Sequence, residues 1–231
     1  MSYSIENIKE FQNNMLKSTD TFQFDCKMCG DCCRKRTEPI LLTGLDIFRI
    51  SRALGMDPKQ VIEEKTIGYI GDQSHVPVLT LKERLDGSCS LLRKGRCMVH
   101  NQKPVVCALF PLGRMYNAIT HEIQYFKNPY SCMTGSKGGK TWTLQEWLDE
   151  FNISSLDEES MAWNKMIMGV TSVTCQIDKE KLPDEMIAIV GSCFYLNYDL
   201  TKPYVEQVNM NMAILQRVFK EKFQRKIEYT I

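Results

Sequence analysis

Long apolar runs are missing from this chain: no stretch approaches the roughly 20 consecutive apolar residues of a membrane-spanning helix. The first ten residues carry acids and lack the continuous apolar core of a secretory leader. An excess of either charge is missing too. The 29 Lys and Arg nearly balance 28 Asp and Glu, giving a net charge of +1 and a pI near 7.5. Nucleic-acid binders usually show a basic patch or a high pI. The short basic groups Arg34-Lys35-Arg36 and Lys220 to Lys226 are broken or flanked by acids and aromatics, as solvated faces are. Repeats and low-complexity tracts are absent, and so are a glycine-rich nucleotide loop, HExxH and GxSxG. The expectation is a cytoplasmic protein with no nucleic-acid or membrane partner. In that compartment thiols stay reduced, which argues against a disulfide scaffold.

Cysteine is what the chain has in quantity. Cys26, Cys29, Cys32 and Cys33 fall within eight residues, and Cys89, Cys97, Cys107 and Cys132 follow, so eight of the ten cysteines lie between positions 26 and 132. Thiolate is the preferred ligand of zinc, copper(I) and iron–sulfur centres. All eight are therefore candidate metal ligands.

The triplet Cys26-xx-Cys29-xx-Cys32 has the spacing with which bacterial ferredoxins wrap three corners of a four-iron cluster. The three-residue gap to a Cys-Pro pair that completes their motif is missing. Triplet spacing thus favours an iron–sulfur cluster, and the incomplete motif leaves zinc open. Eight thiols could also fill two sites of four, with the adjacent Cys32 and Cys33 pointing apart, one to each site. His100, two residues beyond Cys97, is either an imidazole ligand or a histidine bonded to nearby backbone. His75 and His121 have no cysteine close in sequence. Cys175 and Cys193, isolated in the later half, are expected in the core, and Asp25, Asp31 and Asp46 as caps or solvated charges.

The rest of the chain is punctuated by capping signals. Thr43 with Asp46 opens a helix that Gly55 ends, and Asp57, Pro58 and Gln60 open the next. Residues 1–22 suggest a helical lead-in, with Met15 and Leu16 on its apolar face. Val76 to Leu81 predicts a strand, Asp86-Gly87 a turn, and Cys89 to Leu92 a return strand before Lys94-Gly95, so that Cys89 and Cys97 flank a small hairpin. Pro104 predicts a helical turn carrying Cys107, and residues 115–127 are strand-like. Beyond the loop at 136–140, boxes at Thr143/Glu146 and Ser155/Glu158 start two helices, and a last helix follows Pro203 with Val208, Met212, Leu215 and Phe219 on one face. The fold class expected is α+β: a cysteine-rich unit with a short hairpin over residues 1–140, packed with a mainly helical region, 141–231, in the same domain.

These blocks together resemble a known family. The run Cys26-xx-Cys29-xx-Cys32-Cys33, then Asp86-Gly87-Ser-Cys89, Gly95-Arg-Cys97-Met-Val-His100 and Lys103-Pro104-Val-Val-Cys107-Ala-Leu-Phe110-Pro111, is similar to the CxxCxxCC cysteine-cluster (YkgJ-like) family. The resemblance covers roughly 24–132 and implies metal chelation, of zinc or iron. The family includes flagellin lysine N-methylases, so it also implies, as alternatives, a protein-modifying enzyme with a protein substrate or a cluster-dependent redox enzyme. A zinc-stapled interaction module is the third alternative. Lys103 and Ala108 stand where the family commonly has arginines, which removes two guanidinium groups.

Overall fold

The computed structural model describes residues 15–34, 39–117, 120, 122–127 and 139–228. Helices and small antiparallel sheets share the chain, as expected for the α+β class. Met15–Leu16 (β1) and Thr21–Gln23 (β2), joined by a turn, lead into the first cysteines, so the described end of the expected helical lead-in is strand and turn. The reason is long-range pairing that no local pattern announces. β1 joins the edge of a later hairpin, and β2 pairs with a strand more than a hundred residues downstream.

After the cysteine loop, Leu41–Leu42 (β3) precedes helix Gly44–Leu54 (α1). Thr43 and Asp46 form the expected reciprocal cap, and Gly55 closes the helix in the left-handed conformation at φ 62°. Helix Pro58–Lys65 (α2) starts from the Asp57/Gln60 box with Pro58 in its first turn. Thr66–Ile70 (β4) and Pro77–Leu81 (β5) follow, and β5 is the centre of a three-stranded antiparallel sheet, β3–β5–β4.

The hairpin near the later thiols is smaller than expected. Leu92–Arg93 (β6) pairs with Arg96–Cys97 (β7) across Lys94 and Gly95, both left-handed. Cys89 makes only a single bridge to Glu83, so Cys89 to Leu92 is not a return strand. The carboxylate of Asp86 accepts from the Ser88 backbone N–H at 3.0 Å and fixes a turn there instead.

Helix Val105–Leu109 (α3) carries Cys107, and the hairpin Leu112–Asn117 (β8) with Glu122–Lys127 (β9) accepts β1 on its outer edge. Thr141–Thr143 (β10) is the partner of β2 and runs into Leu144–Glu150 (α4) through the Thr143/Glu146 box. The Ser155/Glu158 box does not form. A 3-10 turn over Ser154–Leu156 delivers the chain directly into Asp157–Thr174 (α5), and the Ser155 hydroxyl donates back to the Asn152 carbonyl. Asp184–Gly191 (α6) continues as a π-helical turn, Ser192–Leu196, before Tyr204–Phe223 (α7).

Two apolar cores result, and each takes residues from both sides of position 140. The larger joins Ile47, Ile50, Val61 and Leu79 to Trp163, Phe194, Leu215 and Phe219. The smaller joins Phe24, Val105 and Leu109 to Leu144, Trp147 and Ile153. Cys193 is buried in the larger core as expected, but Cys175, at the end of α5, is exposed. No described helix is long and apolar enough to cross a membrane.

Candidate metal centre

The first thiols sit on a loop whose backbone is bent by two left-handed residues, Met28 at φ 49° and Gly30 at φ 75°. Gly30 is required there: a Cβ would stand 2.6 Å from Nη1 of Arg34, whose guanidinium folds back to donate to the Cys29 carbonyl at 2.8 Å. A 3-10 turn over Asp31–Cys33 then brings the Cys32 and Cys33 sulfurs to 3.9 Å from each other. The adjacent thiols therefore do not point apart. Cys33 is also tied to the later block, because its carbonyl accepts the Cys89 N–H at 2.7 Å.

All of these thiols face one cavity of about 370 Å3, lined by Cys26, Cys29, Cys32, Cys33, Cys89, Cys97 and Cys107. Seven of the eight candidate ligands are thus gathered. Cys132 and His121 lie outside the described residues. His100 borders the same cavity. His75 lies elsewhere, its ring nitrogens bonded to the carbonyls of Ile177 at 2.8 Å and Asp72 at 3.0 Å. The sulfurs share a cavity rather than a closed coordination sphere: among the described residues no three Cys, His, Asp or Glu side chains converge closely enough to hold an ion.

The electrostatics of the cavity are one-sided. Among the described residues, Lys27, Arg96 and Lys103 line it and no carboxylate does. The rest of its wall is apolar, chiefly Phe24, Leu81, Leu91, Phe110 and Phe151. Within it the Cys33 thiol bonds to Cys32 and holds the Cys32 thiol below its ordinary value, with Lys103 assisting. The same contact, and then burial, pushes Cys33 well up. Burial raises Cys107, as do its neighbours Cys89, Cys32 and Cys97. Cys97 is raised by burial too, against a backbone hydrogen bond from Val99, the knuckle arrangement that steadies a thiolate. His100 is pushed toward its neutral form by burial and then by Lys103, the form in which imidazole binds metal.

Each later ligand is held by its own device. The Lys94-Gly95 turn aims Cys97. Asp46 holds α3, which carries Cys107: one carboxylate oxygen caps α1 while the other accepts the Val105 N–H at 2.8 Å. Arg49 fixes the approach to that helix, donating to Gln102 at 3.1 Å and to the Lys103 carbonyl at 3.3 Å. Asp46 was expected as a cap, and its second role depends on a partner 59 residues away. The three cations and the aromatic wall were not anticipated either. Trp147 and Phe151 read as a helix stripe, and only their contact with the thiol loop makes them part of the site.

Residues 25–133 match the family model CxxCxxCC, described as a "putative zinc- or iron-chelating domain". This segment is similar to that family's domain. Neither a curated protein nor a solved structure matches the chain. The donors present suit the metals named for the domain. Thiolate sulfur and neutral imidazole bind zinc and iron–sulfur centres, whereas magnesium and calcium need the oxygen ligands this cavity lacks. The cavity thus offers soft donors inside, with Lys27, Arg96 and Lys103 on its wall.

Proposed function

We propose that this protein binds an iron–sulfur cluster in the thiol cavity, with ligands drawn from Cys26, Cys29, Cys32, Cys33, Cys89, Cys97 and Cys107. The observation that carries the reading is the gathering of these seven thiols, from four separate blocks, on one cavity with cationic and apolar walls. A thiolate-bound cluster is an anion, and Arg96 and Lys103 on the cavity wall would offset its charge, while Lys27 is already paired with Asp25. Size points the same way. At about 370 Å3 the cavity is on the order of ten times the roughly 30 Å3 of a water molecule, more than one ion in a closed shell would fill. The triplet spacing of Cys26, Cys29 and Cys32 adds to this. When bound, such a cluster would supply one-electron chemistry or a Lewis-acidic iron; the chain supplies sulfur ligands, a largely apolar lining and nearby cations.

A second reading, mononuclear zinc, is favoured by two details. In a tetrahedral zinc–thiolate site neighbouring sulfurs stand about 3.8 Å apart, from Zn–S bonds of about 2.3 Å, and the Cys32–Cys33 separation is 3.9 Å. Cys97 and His100 also have the spacing and backbone support of a zinc knuckle. Anaerobic purification followed by iron, zinc and acid-labile sulfide analysis separates the two. Iron with matching sulfide and a broad visible absorption supports the cluster, and stoichiometric zinc in a colourless protein supports the knuckle. A preparation with neither metal, unchanged by reconstitution, overturns both.

A further inference from the structure

Beside the thiol cavity lies a more open cleft of about 540 Å3, and Cys26, Met28, His100, Trp147 and Phe151 belong to the walls of both. The two differ in the charged residues that line them. Among the described residues, the thiol cavity is lined by Lys27, Arg96 and Lys103 and no carboxylate, and the cleft by Asp25 and Glu150 and no lysine or arginine. Asp25 is paired with Lys27. No cation pairs with Glu150 among the described residues, which leaves it as the open negative charge.

The aromatic part of the cleft has the matching chemistry. Trp142 and Phe151 both border it, and both already take an ammonium group over the ring. The Lys140 nitrogen stands 3.6 Å from the Trp142 centroid and the Lys103 nitrogen 4.0 Å from that of Phe151. Lys103 lines the thiol cavity and not the cleft, so the cation on Phe151 approaches from the metal side. Aromatic rings beside a carboxylate attract cations through the ring quadrupole and the opposite charge together. Exposed amides of Asn101 and Asn152 complete the rim.

We infer that this cleft binds an organic cation, an alkylammonium or guanidinium group, with Glu150 as its counter-charge and Trp142 and Phe151 as its walls. The inference builds on the proposed metal centre only for what lies behind the shared wall. The cation's own site is complete without it. An anion would meet Glu150 and Asp25, and a neutral apolar molecule would gain nothing from them. The head group could come from a free small molecule or from a basic side chain of another protein.

Calorimetric titration of the full chain, as purified, with two matched pairs tests this. The first pair is choline and its uncharged isostere 3,3-dimethylbutan-1-ol. The second is end-blocked Ala-Lys-Ala and the same peptide with norleucine. The expected result is a Kd on the order of 1 mM or below for at least one charged probe, with its neutral counterpart at least about fivefold weaker. Glu150→Gln, at the exposed end of α4, should weaken the charged probe by about threefold or more while metal content stays unchanged. Choline binding alone would assign a free cation, and peptide binding alone a protein side chain. Equal binding of charged and neutral partners, or no saturation by either cation, overturns the inference. A metal-free wild type that still bound choline would separate this result from failure of the metal reading.

Discussion

Cys97 closes a two-residue strand, receives a backbone hydrogen bond from Val99 and stands three positions before His100, so its sulfur is aimed before any metal arrives. Cys97→Ser and Cys107→Ser should therefore lower bound metal per chain by at least about tenfold, since even groups that only support ligands cost that much. Cys175→Ser, exposed at the end of α5, should leave it unchanged, and elemental analysis of the three variants checks both outcomes. Protonation acts at the same atoms. Burial pushes the Cys107 thiol up, and the contact with Cys32 and then burial do the same to Cys33, so both hold protons that metal binding must displace. Affinity should rise with pH and metal should be released on acidification; a competition titration against a chelator from pH 8 to pH 5 would show a flat line if these thiols were not ligands. The candidate thiols were legible one by one because their type and spacing carry the chemistry. Lys103, Arg96 and Lys27 were not, because a surface lysine and a cavity-lining lysine look alike in a sequence.

Among the elements, α1 does the most to place the site. Its capping carboxylate, Asp46, is only 2% exposed and also holds the first turn of α3. Asp46→Ala removes a cap and leaves the Val105 N–H without its buried acceptor, a loss of about 2–4 kcal/mol. Urea unfolding measures that loss, and reduced metal content would accompany it because Cys107 rides on α3. Next to it, Gly44 is pressed against the π-helical turn: a Cβ would lie 2.3 Å from the Phe194 carbonyl and 2.6 Å from the Trp163 ring. Gly44→Ala should cost about 1–3 kcal/mol through overpacking, with thermal unfolding as the check. Three of the four capping boxes were readable because both partners of a box lie within one turn. The box at Ser155 failed because its residues were consumed by a preceding 3-10 turn, a choice set by Leu156 packing between the two cores. Strands β1, β2 and β10 were illegible for a different reason: two or three residues long, they exist only through partners far away in the chain.

At the scale of the whole molecule, the larger core is built mostly from α1, α2, α5, α6 and α7, with Cys33, Cys89 and Cys97 only at one border. Chelation should therefore remove the metal without unfolding the helices, unlike a zinc finger, whose fold is its metal. Circular dichroism should lose less than about a tenth of its helical signal, while proteolysis at the 26–33 loop should accelerate. Collapse of the helical signal instead would mean that the larger core does not stand alone. Division near 140 looks natural in the sequence, yet β10 pairs with β2 through Thr141↔Gln23, Trp142↔Phe22 and Thr143↔Thr21, and the Trp142 indole N–H donates to the Phe24 carbonyl at 2.8 Å. The strip of chain that introduces Cys26 is thus moored to a strand well over a hundred residues downstream. Cut the molecule back to its thiol-bearing portion, and the excised fragment would carry its ligands on an unanchored tether, a chelating peptide in place of a built receptacle.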